Sequence, residues 1–298
     1  MRLTIRLGLG AAVIAAVAAF NAATALVAQA PAPARAAHVV FVTGDDEYRS
    51  EITMPMIAAI LEQRYGVRAS IAYAKPIPQT KDNIEGLEAL DSADLLVLFT
   101  RFRALPDDQL NRILTYVDSG KPVVGLRTST HAFLYPDGSP HHALNDSFSR
   151  DLFGQKWVTH HGNTSSTTVA VHAAHAAHPI LRGVEPFAAR SWLYHVAPLS
   201  GGPSTILLDG TSVNSRLTAK ADQFPPVQPV AWTRAHKGAR VFFTTLGHPA
   251  DFAQPSMRRL LVNGILWALG RDVPTGGADA APVEPYTAPD SFDLSKVP

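Results

Sequence analysis

The chain has 298 residues, 26 lysines and arginines against 25 aspartates and glutamates, and no cysteine. That length suits a single α/β domain with a large core. The missing thiols exclude disulfides, a thiol nucleophile and a thiolate metal centre, and with a formal charge of +1 nothing suggests the basic stripe expected of a nucleic-acid surface.

Residues 1–36 read as an export signal. Arg2 and Arg6 precede an apolar stretch from Leu7 to Phe20, and small residues at Ala28 and Ala30, or at Ala34 and Ala36, offer cleavage sites, the first weakened by Pro31. The arginines are not adjacent and no cysteine could take a lipid, so the pattern predicts a Sec-type signal peptide. The mature protein is then secreted or periplasmic and free of the membrane. An uncleaved anchor helix is the alternative, disfavoured because the apolar run does not clearly reach about 18 residues. Cleavage removes three arginines and no acid, so the formal charge moves from +1 to −2.

Short apolar runs then alternate with helical patterns. HVVFVTG (38–44) predicts a buried strand. ITMPMIAAILEQRYG predicts a helix with Ile52, Met56, Ile57, Ile60 and Leu61 on its buried face and Gly66 as its stop. ASIAYA (69–74) is a second strand, and DNIEGLEAL predicts a helix capped by Asp82. DLLVLFT (94–100) is a third strand, PDDQLNRILTYVDSG a helix from Pro106 to Gly120, and PVVGLRT (122–128) a fourth strand. Continuous rather than alternating apolar strands in a β-α-β rhythm predict a mostly parallel sheet covered on both faces.

The rhythm fails over 135–200, apart from a possible strand at TTVAVH (167–172), and resumes with STILLDG (204–210), PVAWTRAH (229–236) and RVFFTTLGH (240–248). A closing helix, MRRLLVNGILWALG, is expected to bury Leu260, Leu261, Gly264, Ile265, Trp267 and Ala268. From Arg271 the Pro- and Ala-rich tail (271–298) reads as a flexible or surface-draped extension. The domain proper therefore spans 37–270.

In an open parallel α/β sheet, ligands bind outside the carboxyl ends of the strands. Those ends carry Asp45, Asp46, Glu47 and Tyr48 after the first strand and Arg101 and Arg103 after the third. Arg127, Thr128 and His131 follow the fourth, and His248 follows the late strand RVFFTTLGH. Nine of the twelve histidines fall between His131 and His195, which suggests that the irregular segment folds over this crevice. HHGN supplies His160, His161 and Asn163. Adjacent histidines diverge, so one of the pair is expected to point inward. HAAHAAH (172–178) reads as solvated turn, since it runs into Pro179. There is no H-E-x-x-H and no carboxylate/histidine set with metal spacing, so a divalent metal held by histidines is the less favoured reading.

At this point PVAWTRAHKGARVFFTTLGHPADF followed by MRRLLVNGILWALG resembles the closing signature of ThuA-like (trehalose-utilisation) domains, of the class I glutamine amidotransferase-like superfamily. HVVFVTGDDEY, PVVGLRTSTHAF, HHGN and HPILRGVEPF extend the resemblance over residues 38–270. It implies a flavodoxin-like, doubly wound fold and a role in carbohydrate metabolism. In the amidotransferases the elbow after the central strand holds a cysteine, and a distant His-Pro-Glu supplies base and acid. Here Arg127 stands at the elbow, His248-Pro249 matches the His-Pro, and Ala250 stands where the glutamate would be. Arginine is always protonated and cannot attack a carbonyl, so a glutaminase is excluded. Many relatives carry histidine at the elbow and an acidic-Glu-Leu-Tyr motif. Here that stretch reads Ser191-Trp192-Leu193-Tyr194, and only the tyrosine carries over.

These observations predict an exported protein acting on a sugar or oxidised sugar derivative by histidine-mediated proton transfer, as an isomerase, lyase or hydrolase. His248, His131, Arg127, His160 and His161 are the catalytic candidates. Asp45, Glu47, Tyr48, Arg101, Thr128, Asn163 and Tyr194 are the substrate-binding candidates. Tyr48, Trp192 and Tyr194 could stack on a sugar face, or pack as ordinary core. The alternative is a non-catalytic module that binds a saccharide or a partner through a degenerate active site. The expected partner is a small carbohydrate, not nucleic acid or membrane, and a homo-oligomer stays open.

Overall fold

The computed structural model describes residues 35–76, 80–162 and 164–291. The expected export signal lies, but for its last two residues, outside the described residues. The first half alternates as its apolar pattern dictates: β1 (His38–Gly44), α1 (Ser50–Tyr65), β2 (Arg68–Ala74), β3 (Ile84–Glu85), β4 (Leu95–Thr100), α2 (Asp107–Asp118) and β5 (Val123–Leu126). Every residue of β1, β4 and β5 is buried, as strands covered on both faces require. The second half contains α3 (Leu144–Phe153), β6 (Thr159–His160), β7 (Ser166–Val171), β8 (Phe187–Ala189), β9 (Tyr194–His195), β10 (Ser204–Val213), β11 (Val227–His236), β12 (Ala239–Thr244) and α4 (Pro255–Ala268).

Ten strands form one sheet in the order β3-β2-β1-β4-β5-β12-β11-β10-β7-β8. From β2 to β12 the neighbours are parallel. Beyond β12 the sheet continues as an antiparallel meander. Successive side chains of a strand point to opposite faces. Phe41, Val97 and Phe242 therefore pack with the buried sides of α1 and α4, while Val40, Leu96 and Phe243 pack with α2 and α3. The β6–β9 pair is a separate two-stranded ribbon.

Three expectations are corrected. Residues 82–90 do not form a helix capped by Asp82. The chain makes β3, turns at Gly86 with φ +91°, and only then forms a 3-10 turn over Leu87–Ser92. That φ suits glycine and interrupts any helix begun earlier. In α1, Ile52 is exposed and Met56 half-buried, while Met54 and Ala58 join Ile57, Ile60 and Leu61 in the core. In α4, Trp267 is half-exposed under the Arg240 guanidinium, 5.1 Å from its ring centre, and Met257, Val262 and Leu266 are buried instead. Past α4, residues 271–291 run along α4 and α1, with Val273, Ala278 and Ala280 buried against them.

Candidate functional site

The chain leaves β1 towards β2 on one side and reaches β4 and β5 on the other, so the crevice between the carboxyl ends of β1 and β4 is a topological switch point. Backbone strain gathers there. Of the six non-glycine residues with positive φ among the described residues, Asp46, Arg49, Phe102 and Arg127 all follow β1, β4 or β5. Such conformations persist where the surrounding structure over-determines them, and they cluster at functional sites.

A cavity of about 100 Å³ opens at this point. Glu47 and Tyr48 from the β1 loop, and Arg101 and Phe102 from the β4 loop, form one side of it. His131 and Trp157 lie beyond β5, and His160, Trp192 and Tyr194 come from the β6–β9 ribbon and its approach. Pairing of His160 with Tyr194 across the ribbon places both over the crevice.

Arg127 answers for the walls rather than the contents of this cavity. It is fully buried, with φ +39° at the elbow. Its Nη1 donates to the Thr245 carbonyl at 3.0 Å and to the Trp192 carbonyl at 3.4 Å, and its Nη2 donates to the Tyr48 hydroxyl at 3.0 Å. The guanidinium lies 4.1 Å from the Tyr48 ring centre and 4.6 Å from that of Tyr194, a double cation–π contact. Arg127, a catalytic candidate on sequence grounds, therefore does not line the cavity, and its Nη donors already serve protein oxygens.

The histidines divide sharply. His160 is stacked between Trp157 and Trp192, with ring centres 5.9 and 5.0 Å away. Burial, followed by the charges of Arg127 and Arg216, pushes its pKa down to about 4. His131 touches Phe102, Trp157 and Tyr194, and its Nδ1 lies 3.1 Å from the Thr130 hydroxyl. Burial, then the guanidinia of Arg101 and Arg127, hold it well below the usual imidazole range. Both rings are thus neutral at pH 7, with lone pairs able to accept a proton. His161 turns the other way, its Nδ1 3.0 Å from the Ser215 hydroxyl, and does not line the cavity.

His248 stands behind the wall. Its ring lies 5.9 Å from that of Tyr48 and its Nδ1 accepts the Ala250 N–H at 3.1 Å. Tyr48 therefore touches both Arg127 and His248, which places the two on one side of the molecule. Burial outweighs the pull of Asp251 and, with Arg127 and Arg190, pushes His248 down to about 4.

The remaining candidates separate by which atoms are already engaged. Glu47 lies 3.3 Å from Arg101, and both line the cavity. Asp45 does not line it. Its carboxylate accepts the backbone N–H groups of Glu47 at 2.8 Å, Tyr48 at 2.5 Å and Ser50 at 2.8 Å, so it fixes the start of α1. Thr128 is fully buried and also away from the cavity. Asn163 lies outside the described residues.

Sequence reasoning missed Trp157 and Phe102, whose apolar character gave no site signal. It also missed Asp251, whose carboxylate accepts from the backbone of Arg190, Ser191, Gly247 and His248 and from the Ser191 hydroxyl at 2.5 Å. The available clue was HPAD itself, a capping arrangement in which Asp251 returns to the His248 N–H. Among the described residues no group of three or more histidines and carboxylates is placed to hold a metal ion.

A sequence profile of the family described as ThuA, trehalose utilisation, matches residues 38–268. Comparison with curated proteins finds no match. A solved structure of a ThuA-like protein from Parabacteroides merdae aligns over 80% of this chain and 92% of its own, at 18% identity and a TM-score of 0.57. One from Bacteroides uniformis aligns over 81% and 96%, at 16% identity and a TM-score of 0.55. Identities this low speak for the fold, and that fold is the flavodoxin-like, doubly wound arrangement that the family resemblance implies.

Proposed function

The chain belongs to the ThuA, trehalose-utilisation family, and from that premise we propose that its cavity binds one ring of a sugar or oxidised sugar, on which His160 or His131 moves a proton. One observation carries the reading: two imidazoles held neutral by burial face an aromatic-lined cavity at the switch point. A neutral imidazole can accept a proton at pH 7. Tyr48 receives a hydrogen bond from Arg127 and keeps its own O–H to donate. In a carbonyl sugar, the imidazole takes the proton from the carbon beside the carbonyl, the C–H pair forms the new C=C bond, and the carbonyl oxygen takes the Tyr48 proton. The imidazolium then returns its proton to the former carbonyl carbon, while the hydroxyl on the neighbouring carbon gives its proton back to the Tyr48 phenolate and becomes the new carbonyl, which completes an isomerisation.

Retaining glycoside hydrolysis fits less well, since it uses two carboxylates about 5–5.5 Å apart and the cavity offers Glu47 alone, paired with Arg101. Glutaminase chemistry has no nucleophile, because the chain holds no cysteine. At about 100 Å³ the cavity is well below the roughly 300–1,000 Å³ of drug-sized pockets, which suits one ring end rather than a whole oligosaccharide.

The test is calorimetric titration with D-glucose, trehalose and a keto-sugar, together with NMR detection of deuterium entering the sugar from D₂O. Binding with exchange that disappears in His131→Ala or His160→Ala supports the proposal. No binding by any sugar sinks it. Binding without exchange favours a second reading, a non-catalytic saccharide-binding module, which the engagement of the Arg127 donors by protein oxygens supports. Export by the N-terminal segment is part of the same proposal. Fractionation that leaves the protein in the cytoplasm at full length would overturn it.

A further inference from the structure

The family profile ends at residue 268, yet the chain continues as an ordered segment with its own set of anchors. Ala278 N donates to Asn263 Oδ1 at 2.9 Å, and the Asn263 Nδ2 donates to the Ile180 carbonyl at 2.9 Å. A fully buried asparagine inside α4 is thereby satisfied partly by the tail. Arg258 donates through Nε to the Ala280 carbonyl at 2.9 Å and through Nη1 to the Phe252 carbonyl at 2.5 Å. Tyr286 donates its hydroxyl to the Pro249 carbonyl at 2.8 Å.

Pro249 and Phe252 both belong to the 3-10 turn that His248 caps, Pro249–Ala253. The i→i+3 bonds of this turn leave its last carbonyls, Phe252 among them, without an internal partner, and the Pro249 oxygen keeps a second lone pair. Asp251 serves the amide end of this turn, while Tyr286 and Arg258 serve its carbonyls. We propose that residues 271–291 form a strap that fixes the His248-bearing turn behind the Tyr48 wall, with Tyr286 as its positioning residue. Burial pushes the Tyr286 phenol up to about 12, so it remains a donor throughout the working pH range. The functional consequence rests on the sugar-site reading; the strap itself does not.

Hydrogen exchange on the full chain tests the strap without any ligand. In Tyr286→Phe, which removes only the hydroxyl, amides of residues 247–253 should exchange about fivefold faster, the factor of one lost hydrogen bond, while those of β1 and β4 stay unchanged. Tyr286→Ala should enlarge the same local effect. NMR titration of the histidine rings supplies a readout that a general loss of stability would not give: the His248 midpoint should rise towards its ordinary value, with those of His131 and His160 unmoved. Unchanged exchange at 247–253, or equal acceleration throughout the domain, would overturn the proposal. Because no sugar enters the experiment, its failure is separate from failure of the sugar reading.

Discussion

Arg127→Lys separates a brace from a ligand-binding cation. The guanidinium fork reaches the Thr245 carbonyl from one nitrogen and the Tyr48 hydroxyl from another, both at 3.0 Å. An ammonium is a single point charge and cannot serve both sides, nor stack flat between Tyr48 and Tyr194. One lost bond to a charged donor is about 1.5–3 kcal/mol, and weakened stacking on two rings adds about 1 kcal/mol or more. The expected loss is therefore about 3 kcal/mol. At roughly 2–4 °C per kcal/mol for a domain of this size, the melting temperature should fall by about 6–12 °C. Urea unfolding followed by tryptophan fluorescence gives the same quantity independently. Arg127→Met sharpens the test, since it removes every donor and leaves the buried Thr245 and Trp192 carbonyls and the Tyr48 hydroxyl without their partner, so a brace predicts a loss at least as large as for lysine. A lysine variant melting within about 2 °C of wild type would refute the brace. A methionine variant as stable as wild type would mean that the charge is retained for the cavity and not for its walls.

Acid should destabilise the fold through its histidines. His160 and His248 are pushed down to about 4, and His131 well below its usual value, chiefly by burial. The folded state then binds fewer protons than the unfolded chain, so their contribution is present above about pH 6.5 and is lost as pH falls towards 4. With partial exposure discounted this is about 1–2 kcal/mol each for His160 and His248, and an identical urea midpoint at pH 7.5 and 4.5 would contradict it. Asp251→Asn puts an amide donor among N–H donors and should cost about 3 kcal/mol or more, read as a lower melting temperature and a displaced His248 signal. Gly247→Ala should cost about 1–3 kcal/mol, because φ is +148° and an added Cβ would meet Phe99 at 3.1 Å and Arg127 Cβ at 3.2 Å.

How far the sequence reaches depends on the kind of interaction that decides each feature. Strands β1, β4 and β5 are legible because full burial requires uninterrupted apolar runs, β12 because its Val241–Phe243 core is apolar, and the switch-point rule then brings their tips together. The divergence of His160 from His161 is expected of adjacent residues at a strand end, β6 closing at His160. By contrast, Asp45 and Glu47 look alike on paper. Only the folded loop shows that three backbone N–H groups claim the first, while the second faces the cavity. The antiparallel meander β12-β11-β10-β7 is hidden for a similar reason, since an apolar run does not reveal the direction of its neighbour. Trp157 and Trp192 are legible only as apolar residues until their contact with His160 is known.

On the proposed sugar-site reading, the elbow explains why the chemistry would lie elsewhere in this chain. A strained residue at the end of β5 normally thrusts its side chain into a site, and φ +39° at Arg127 retains that geometry. A guanidinium placed there is surrounded by carbonyls and two phenol rings, and it pulls the walls together instead of opening into the space between them. With that position closed, groups able to exchange a proton with a ligand must come from the remaining rim. Those on the rim are His160 and Tyr194, carried by the β6–β9 ribbon from the irregular segment, His131 beyond β5, and Tyr48, held by Arg127 itself. The burial that lowers the histidines also keeps both phenols protonated, with Tyr194 pushed up to about 12 and Tyr48 raised as well. Acceptors and donors of a proton therefore face one another across a single small cavity at neutral pH, a division of roles that requires neither a thiol nor a second carboxylate.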